Sequence, residues 1–281
     1  MALLLGLCVI WGLNQVAIKV GHAGISPLTQ AGLRSAIATA CLVAWAALRG
    51  VPLLRRDGSL GYGVTIALLF GFEFAFIYWG LSFTTASRAV LFVYTSPFVV
   101  AAGAHFFMPG ERLTRRKALG LVGAFAGLAI AFADGLRLPS RRELIGDSLV
   151  LAGAILWGAT TLVIKARGRA VSPHATLFYQ LAGSAVVLLG LAVAVGEARV
   201  TRPTPLVLAA LAYQGVVIAF ASYLAWFWLL ARYPAAEIAA FTFWTPLFGL
   251  AAGALLLGEP VTAALVVAFG MVALGFYLVN R

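Results

Sequence analysis

The sequence predicts an all-α membrane protein of ten spanning helices, arranged as two five-helix repeats of opposite orientation. Three observations carry this. Of 281 residues, 63% are hydrophobic and 10% charged, with a mean hydropathy of +1.01; a soluble domain carries about 25% charged residues to hydrate its surface. Residues 11–27 read WGLNQVAIKVGHAGISP and residues 157–173 read WGATTLVIKARGRAVSP, so Trp, Gly, Ile, Lys, Ser and Pro recur at an offset of 146. Finally, loops that correspond in the two copies are basic in one copy and near neutral in the other.

A spanning helix needs about 20 mostly apolar residues. The first span is placed at 2–20; it lacks a basic segment before it, so it reads as a retained helix and not a signal peptide. Ser26-Pro27 opens the second, at 27–48. The third, 60–82, ends near Tyr78-Trp79. The fourth, 87–107, holds Pro97 at its middle, and Gly110-Glu111 with Thr114 precede the fifth, 114–133. The second half repeats the series at 146–165, 173–195, 205–231, 235–257 and 261–280. Phe227-Trp228, Pro246, and Gly258-Glu259 with Thr262 answer the corresponding first-half features. The repeats are therefore 1–134 and 146–281, joined by a linker at 135–145. Glu111 and Thr114 have a plain structural reading, since a carboxylate and a hydroxyl at a helix start satisfy free N–H groups and the dipole.

Five is odd, so the second repeat must enter the bilayer from the opposite side. The loop after span 4 carries Arg112, Arg115, Arg116 and Lys117, and its counterpart at 259–263 carries no base. Lys165, Arg167 and Arg169 follow span 6, against Lys19 alone after span 1. Such asymmetry is what inverted repeats require. With both termini cytoplasmic, 12 of the 20 Lys and Arg fall inside and 7 outside, Arg34 lying within span 2.

The net charge of +11 does not indicate nucleic acid, because the bases sit in short loops where they set orientation. Catalytic motifs are absent, His22, His105 and His174 are scattered, and Cys8 and Cys41 lie inside apolar runs. No enzyme activity, cofactor or metal site is expected. Polar groups inside apolar helices are more telling, since each is costly unless it faces protein or water. They are Asn14, Gln15, Arg34, Glu73, Gln180 and Gln214. Glu73 is read as a proton site, a contact for a substrate amine, a helix-end residue or a partner of Arg34. Trp11 and Trp157 lie near mid-span, and Asn14 and Thr160, three residues on, share their faces. With Tyr78, Tyr94 and Trp244 they make a candidate substrate pocket; core packing is the competing reading. Pro97 and Pro246 bend their helices and are candidate pivots. Gly120, Gly123, Ala124 and Gly127, with Ala268, Val272 and Gly275, form small-residue faces on spans 5 and 10. Those faces suit helix packing or a homodimer.

These motifs together resemble the drug/metabolite transporter superfamily, and within it the EamA-type ten-helix exporters. Residues 72–97, FEFAFIYWGLSFTTASRAVLFVYTSP, are most similar to its aromatic amino acid exporters. The resemblance implies a basket of spans 1–4 and 6–9 around a central cavity, with spans 5 and 10 outside. It also implies export of amino acids or related metabolites across the bacterial inner membrane. The resulting expectation is a secondary transporter working by alternating access, with a small-molecule substrate and the lipid bilayer as its partners. A channel-like facilitator, and an exporter of other metabolites or drugs such as purines, are the alternatives.

Overall fold

Apolar sequence without water must satisfy its backbone internally, and helices do so within one segment. In the computed structural model, described over residues 2–54, 58–133, 138–167, 171–257 and 262–279, every extended element is a helix. An isolated antiparallel bridge, Ile25 to Val200, is the single β-type pairing among these residues.

Five expected spans form continuous helices: α1 (Ala2–His22), α2 (Pro27–Arg49), α3 (Leu60–Leu81), α7 (Arg141–Arg167) and α8 (Pro173–Ala194). Span 4 is two helices, α4 (Ala86–Val93) and α5 (Ser96–Phe107). Span 5 is α6 (Arg115–Ala131). Span 8 comprises α9 (Pro205–Ala212), a π-helical segment (Tyr213–Ser222) and α10 (Tyr223–Leu230). Span 9 is again two helices, α11 (Ala235–Phe241) and α12 (Trp244–Leu257), and span 10 is α13 (Ala263–Val279). Among the described residues, seven stretches are long and apolar enough to cross a bilayer: α1, α2, α3, Ser87–Phe107, α7, α8 and Pro205–Leu230. Ala235–Ala251 and Ala263–Val279 are shorter apolar helices. The chain is a multi-pass membrane protein.

Pro97 and Pro246 each follow a two-residue interruption of the span that holds them. Pro97 occupies the second position of α5 and Pro246 the third of α12, inside the first turn, where a missing N–H breaks no helical bond. Each proline therefore starts a new helix. At each break a threonine hydroxyl adds a second bond to a carbonyl of the preceding turn: Thr95 Oγ1 donates to Phe92 O at 2.6 Å and Thr242 Oγ1 to Ala239 O at 2.7 Å.

Two compact units result. One contains residues 1–13, 76–162 and 233–281; the other contains 14–75 and 163–232. Each draws corresponding helices from both halves of the chain. In the first unit, α6 lies along α13. A Cβ added at Gly120 would meet the Gly275 carbonyl oxygen at 2.5 Å, and one at Gly127 would meet Met271 Cβ at 2.8 Å. Gly120, Gly127 and Gly275 of the small faces are thus filled within one chain, whereas a Cβ added at Gly123 would meet nothing within 4 Å. In the second unit α2 lies along α8, with Ser184 Oγ donating to Ser35 Oγ at 3.2 Å. There α3 meets the same helix through Gly63 against Tyr179, Gly71 against Val187 and Ala67 against Gly183.

The repeated motifs take up their positions by local chemistry. Ser26 and Ser172 both precede a helix-opening proline with extended backbone, φ −65° and ψ 149° or 148°. Ser172 accepts from Ala175 N, whereas Ser26 donates instead to the Glu197 carbonyl. Thr114 and Thr262 cap α6 and α13 through Lys117 N and Leu265 N, each at 3.2 Å. Glu111 has a further role: its Oε2 accepts from Ala235 N at 2.7 Å, so it serves the start of α11. Its sequence counterpart Glu259 lies outside the described residues, as does part of the expected linker. Lys165 donates from Nζ to Leu230 O at 2.9 Å, placing a cation on the carbonyl end of α10, where the helix dipole favours it.

Candidate functional site

Where a helix carries glycine, another backbone can come into contact with it. The repeated Trp-Gly pairs use this in the same way twice, within the first unit. A Cβ at Gly12 would lie 2.8 Å from Gly249 N and 2.9 Å from Thr245 O, so α1 crosses the first turns of α12. A Cβ at Gly158 would lie 2.5 Å from Val99 Cγ1 and 3.5 Å from Ser96 O, so α7 crosses the first turn of α5. The first helix of each half thus crosses the interrupted helix of the other half.

The interruptions meet. Tyr94, at the α4–α5 break, and Phe243, at the α11–α12 break, have ring centroids 6.2 Å apart, and Trp157 stands edge-on to Tyr94 at 6.3 Å. Of the expected pocket residues, Tyr94 and Trp157 are brought together directly. Trp244 stacks on Phe248 at 6.0 Å and lies 5.9 Å from Phe269, packed against the same apolar cluster that holds Tyr94. Trp11 is half-buried and Tyr78 buried in this unit. Thr160 is buried, but its hydroxyl turns back to Leu156 O at 2.8 Å. Asn14 falls in the second unit, buried, with its Oδ1 lacking a hydrogen-bond partner.

The second unit holds the buried charges. Arg34 on α2 is 1% exposed and Glu73 on α3 is 3% exposed. Both helices pack on α8: Gly32 abuts Leu189 and Gly71 abuts Val187. The Arg34 guanidinium carbon sits 4.2 Å from the centre of the Phe74 ring, and Nη2 donates to the Tyr223 hydroxyl at 3.4 Å. Phe70 completes an aromatic surround, 4.7 Å from Phe74 and 6.0 Å from Tyr223. The expected Arg34–Glu73 partnership is electrostatic only. The ion pairs among the described residues, at up to 4.0 Å, are Arg88–Asp147 and Lys117–Glu237. Arg34 Nε and Glu73 Oε2 have no hydrogen-bond partner. A charge placed at a bilayer-spanning helix centre costs about 2.5–3.5 kcal/mol, so buried polar atoms left without a partner here are costly where they stand.

The glutamines divide. Gln214 is fully engaged: its Oε1 accepts from Gln30 Nε2 at 3.0 Å, and its Nε2 donates to Ala17 O and Ala210 O at 3.1 and 3.2 Å. It ties α1, α2 and the π-helical segment together, a structural role. Gln180 is buried with Oε1 unpartnered. Nothing is described of the Gln15 side chain.

The description of the EamA-like transporter family matches residues 1–133 and 144–281. The chain belongs to that family. This EamA-like transporter is 30% identical over 281 residues to a "Probable amino-acid metabolite efflux pump" of Salmonella typhimurium, with 96% of this chain and 91% of the relative covered. It is 29% identical to a protein of the same description in Escherichia coli, at the same coverage. A solved crystal structure of 20% identity superposes with a TM-score of 0.85 over 98% of this chain and 94% of its own, a likeness of fold.

Sequence reasoning about this EamA-like transporter missed Phe70 and Phe74, whose selection depends on which face of α3 meets α2. It also missed Asp147. Helix α7 begins at Arg141, five residues earlier than the expected 146, so Asp147 lies in its second turn and not at its edge, buried against Arg88. Thr84 Oγ1 adds a bond to the same carboxylate at 2.6 Å. The sequence signal was there: an Arg and an Asp at the ends of two apolar runs.

Proposed function

We propose that this protein is a secondary transporter, not an enzyme, that exports amino acids or related small metabolites by alternating access. In this reading its ten spans form two inverted repeats, 1–134 and 146–281, with both termini on the cytoplasmic side of a bacterial inner membrane. The carrying observation is the meeting of two proline-started helix breaks at Tyr94 and Phe243, each interrupted helix crossed by a repeated Trp-Gly. Interrupted helices at corresponding places in two halves are where secondary transporters bind substrate. Trp11, Tyr78, Tyr94, Trp157 and Trp244 supply apolar area for a substrate side chain, and Thr160 in the same unit supplies a hydrogen-bonding group; Asn14, in the second unit, is a separate hydrogen-bonding position for the transported molecule. Pro97 and Pro246 are the pivots. The efflux-pump relatives support export, and the two family-matched stretches support the duplication.

The test is uptake into liposomes holding the pure protein, with a panel of amino acids, with and without a pH gradient. Saturable flux with counterflow is expected for at least one amino acid. Unsaturable flux without counterflow makes the protein a channel, and no flux ends the transport reading.

A further inference from the structure

We infer that Arg34 and Glu73 form the headgroup site for a zwitterionic α-amino acid, Arg34 taking the carboxylate and Glu73 the ammonium. The inference rests on the transport reading above and deepens it. Both side chains belong to the second unit, both are over nine-tenths buried, and each retains an unpartnered polar atom, Nε on Arg34 and Oε2 on Glu73. Opposite charges on α2 and α3, two helices that both pack on α8 through Gly32 and Gly71, would close into a direct pair if neutralising each other were their purpose. No such pair is among the ion pairs of the described residues. A guanidinium presents donors in a rigid fork that matches a carboxylate. Phe74 beneath it and Tyr223 at Nη2 hold that fork, leaving the Nε edge for a ligand. A carboxylate accepts only, which suits the three donors of an ammonium. A ligand carrying both charges close together satisfies both groups; an anion or a cation alone leaves one of them buried and unpaired.

The experiment is counterflow of labelled L-phenylalanine and L-leucine in liposomes, with 3-phenylpropionate (no ammonium) and phenethylamine (no carboxylate) as competitors. In the unaltered protein each analogue should compete at least about tenfold less well than L-phenylalanine, the effect of one lost charge-assisted bond. Glu73→Gln should erase the disadvantage of 3-phenylpropionate and keep that of phenethylamine; Arg34→Gln should do the reverse. A merely structural role lowers all three together and overturns the assignment. So does unchanged selectivity in folded Glu73→Gln protein, which is close to isosteric and decides the matter alone if Arg34→Gln fails to fold. In both cases amino acid flux by the unaltered protein leaves the transport reading standing. Absence of that flux overturns the reading and the headgroup site with it.

Discussion

The first N–H of α11 follows Pro234, which has no side-chain acceptor to offer, and the carboxylate that serves it comes from Glu111, 124 residues earlier. Removing a capping acceptor costs about 0.5–2 kcal/mol. Glu111→Ala should therefore lower the melting temperature of detergent-solubilised protein by a few degrees, and Glu111→Gln, which keeps an acceptor, by less. An unchanged melting temperature for Glu111→Ala would show that the cap is replaced by another group. Trp157 has a different consequence. It stands against Tyr94 at the meeting of the helix breaks, and a buried aromatic contributes about 25 cal/mol per Å² of apolar area. Trp157→Ala is expected to reduce amino acid flux several-fold while leaving the protein monodisperse, and Asn14→Ala to do the same. Normal saturable flux from both variants would move the side-chain site elsewhere.

At the scale of elements, the two crossings are alike in design and unlike in tolerance. The neighbour of Gly12 is backbone, Gly249 N, whereas the nearest neighbour of Gly158 is the side chain of Val99. A side chain can turn aside and a helix backbone must shift bodily. Gly12→Ala should thus cost more folded yield than Gly158→Ala, measured by size-exclusion recovery after heating. Equal recovery would mean that α12 can slide. The prolines give a second test. Since each begins a helix, replacing both by Ala permits α4 to run on into α5 and α11 into α12. If the breaks are pivots, Pro97→Ala with Pro246→Ala should slow exchange more than it reduces yield.

For the whole molecule the decisive expectation is sidedness. Arg115 and Ala263 occupy equivalent positions at the starts of α6 and α13, and inverted repeats put them on opposite faces of the membrane. Cysteines placed singly at these positions, with Cys8 and Cys41 replaced by Ala, should react with an impermeant reagent from opposite sides, Arg115 from the cytoplasm. Labelling from one side would overturn the inversion. Gly120, Gly127 and Gly275 of α6 and α13 are already covered within the chain.

Some of this was decided by the chain's own chemistry. Apolar length and backbone hydrogen bonding dictate helices in a bilayer, and Ser-Pro, Thr114 and Thr262 mark helix starts because their effects act within one turn. Proline and the 146-residue repeat were equally local and equally readable. What local chemistry cannot carry is which faces meet. The prolines read as bends at mid-span, and the structure places each in the first turn after a two-residue interruption of its span. Glu111 read as a cap for the helix beside it and serves one far along the chain. Arg34 and Glu73 were visible as costly charges, but whether they pair, and that Phe74 and Tyr223 hold the arginine, depends on the register of α2 and α3 against α8. That register is fixed by glycine contacts between helices distant in sequence, so only the tertiary structure contains it.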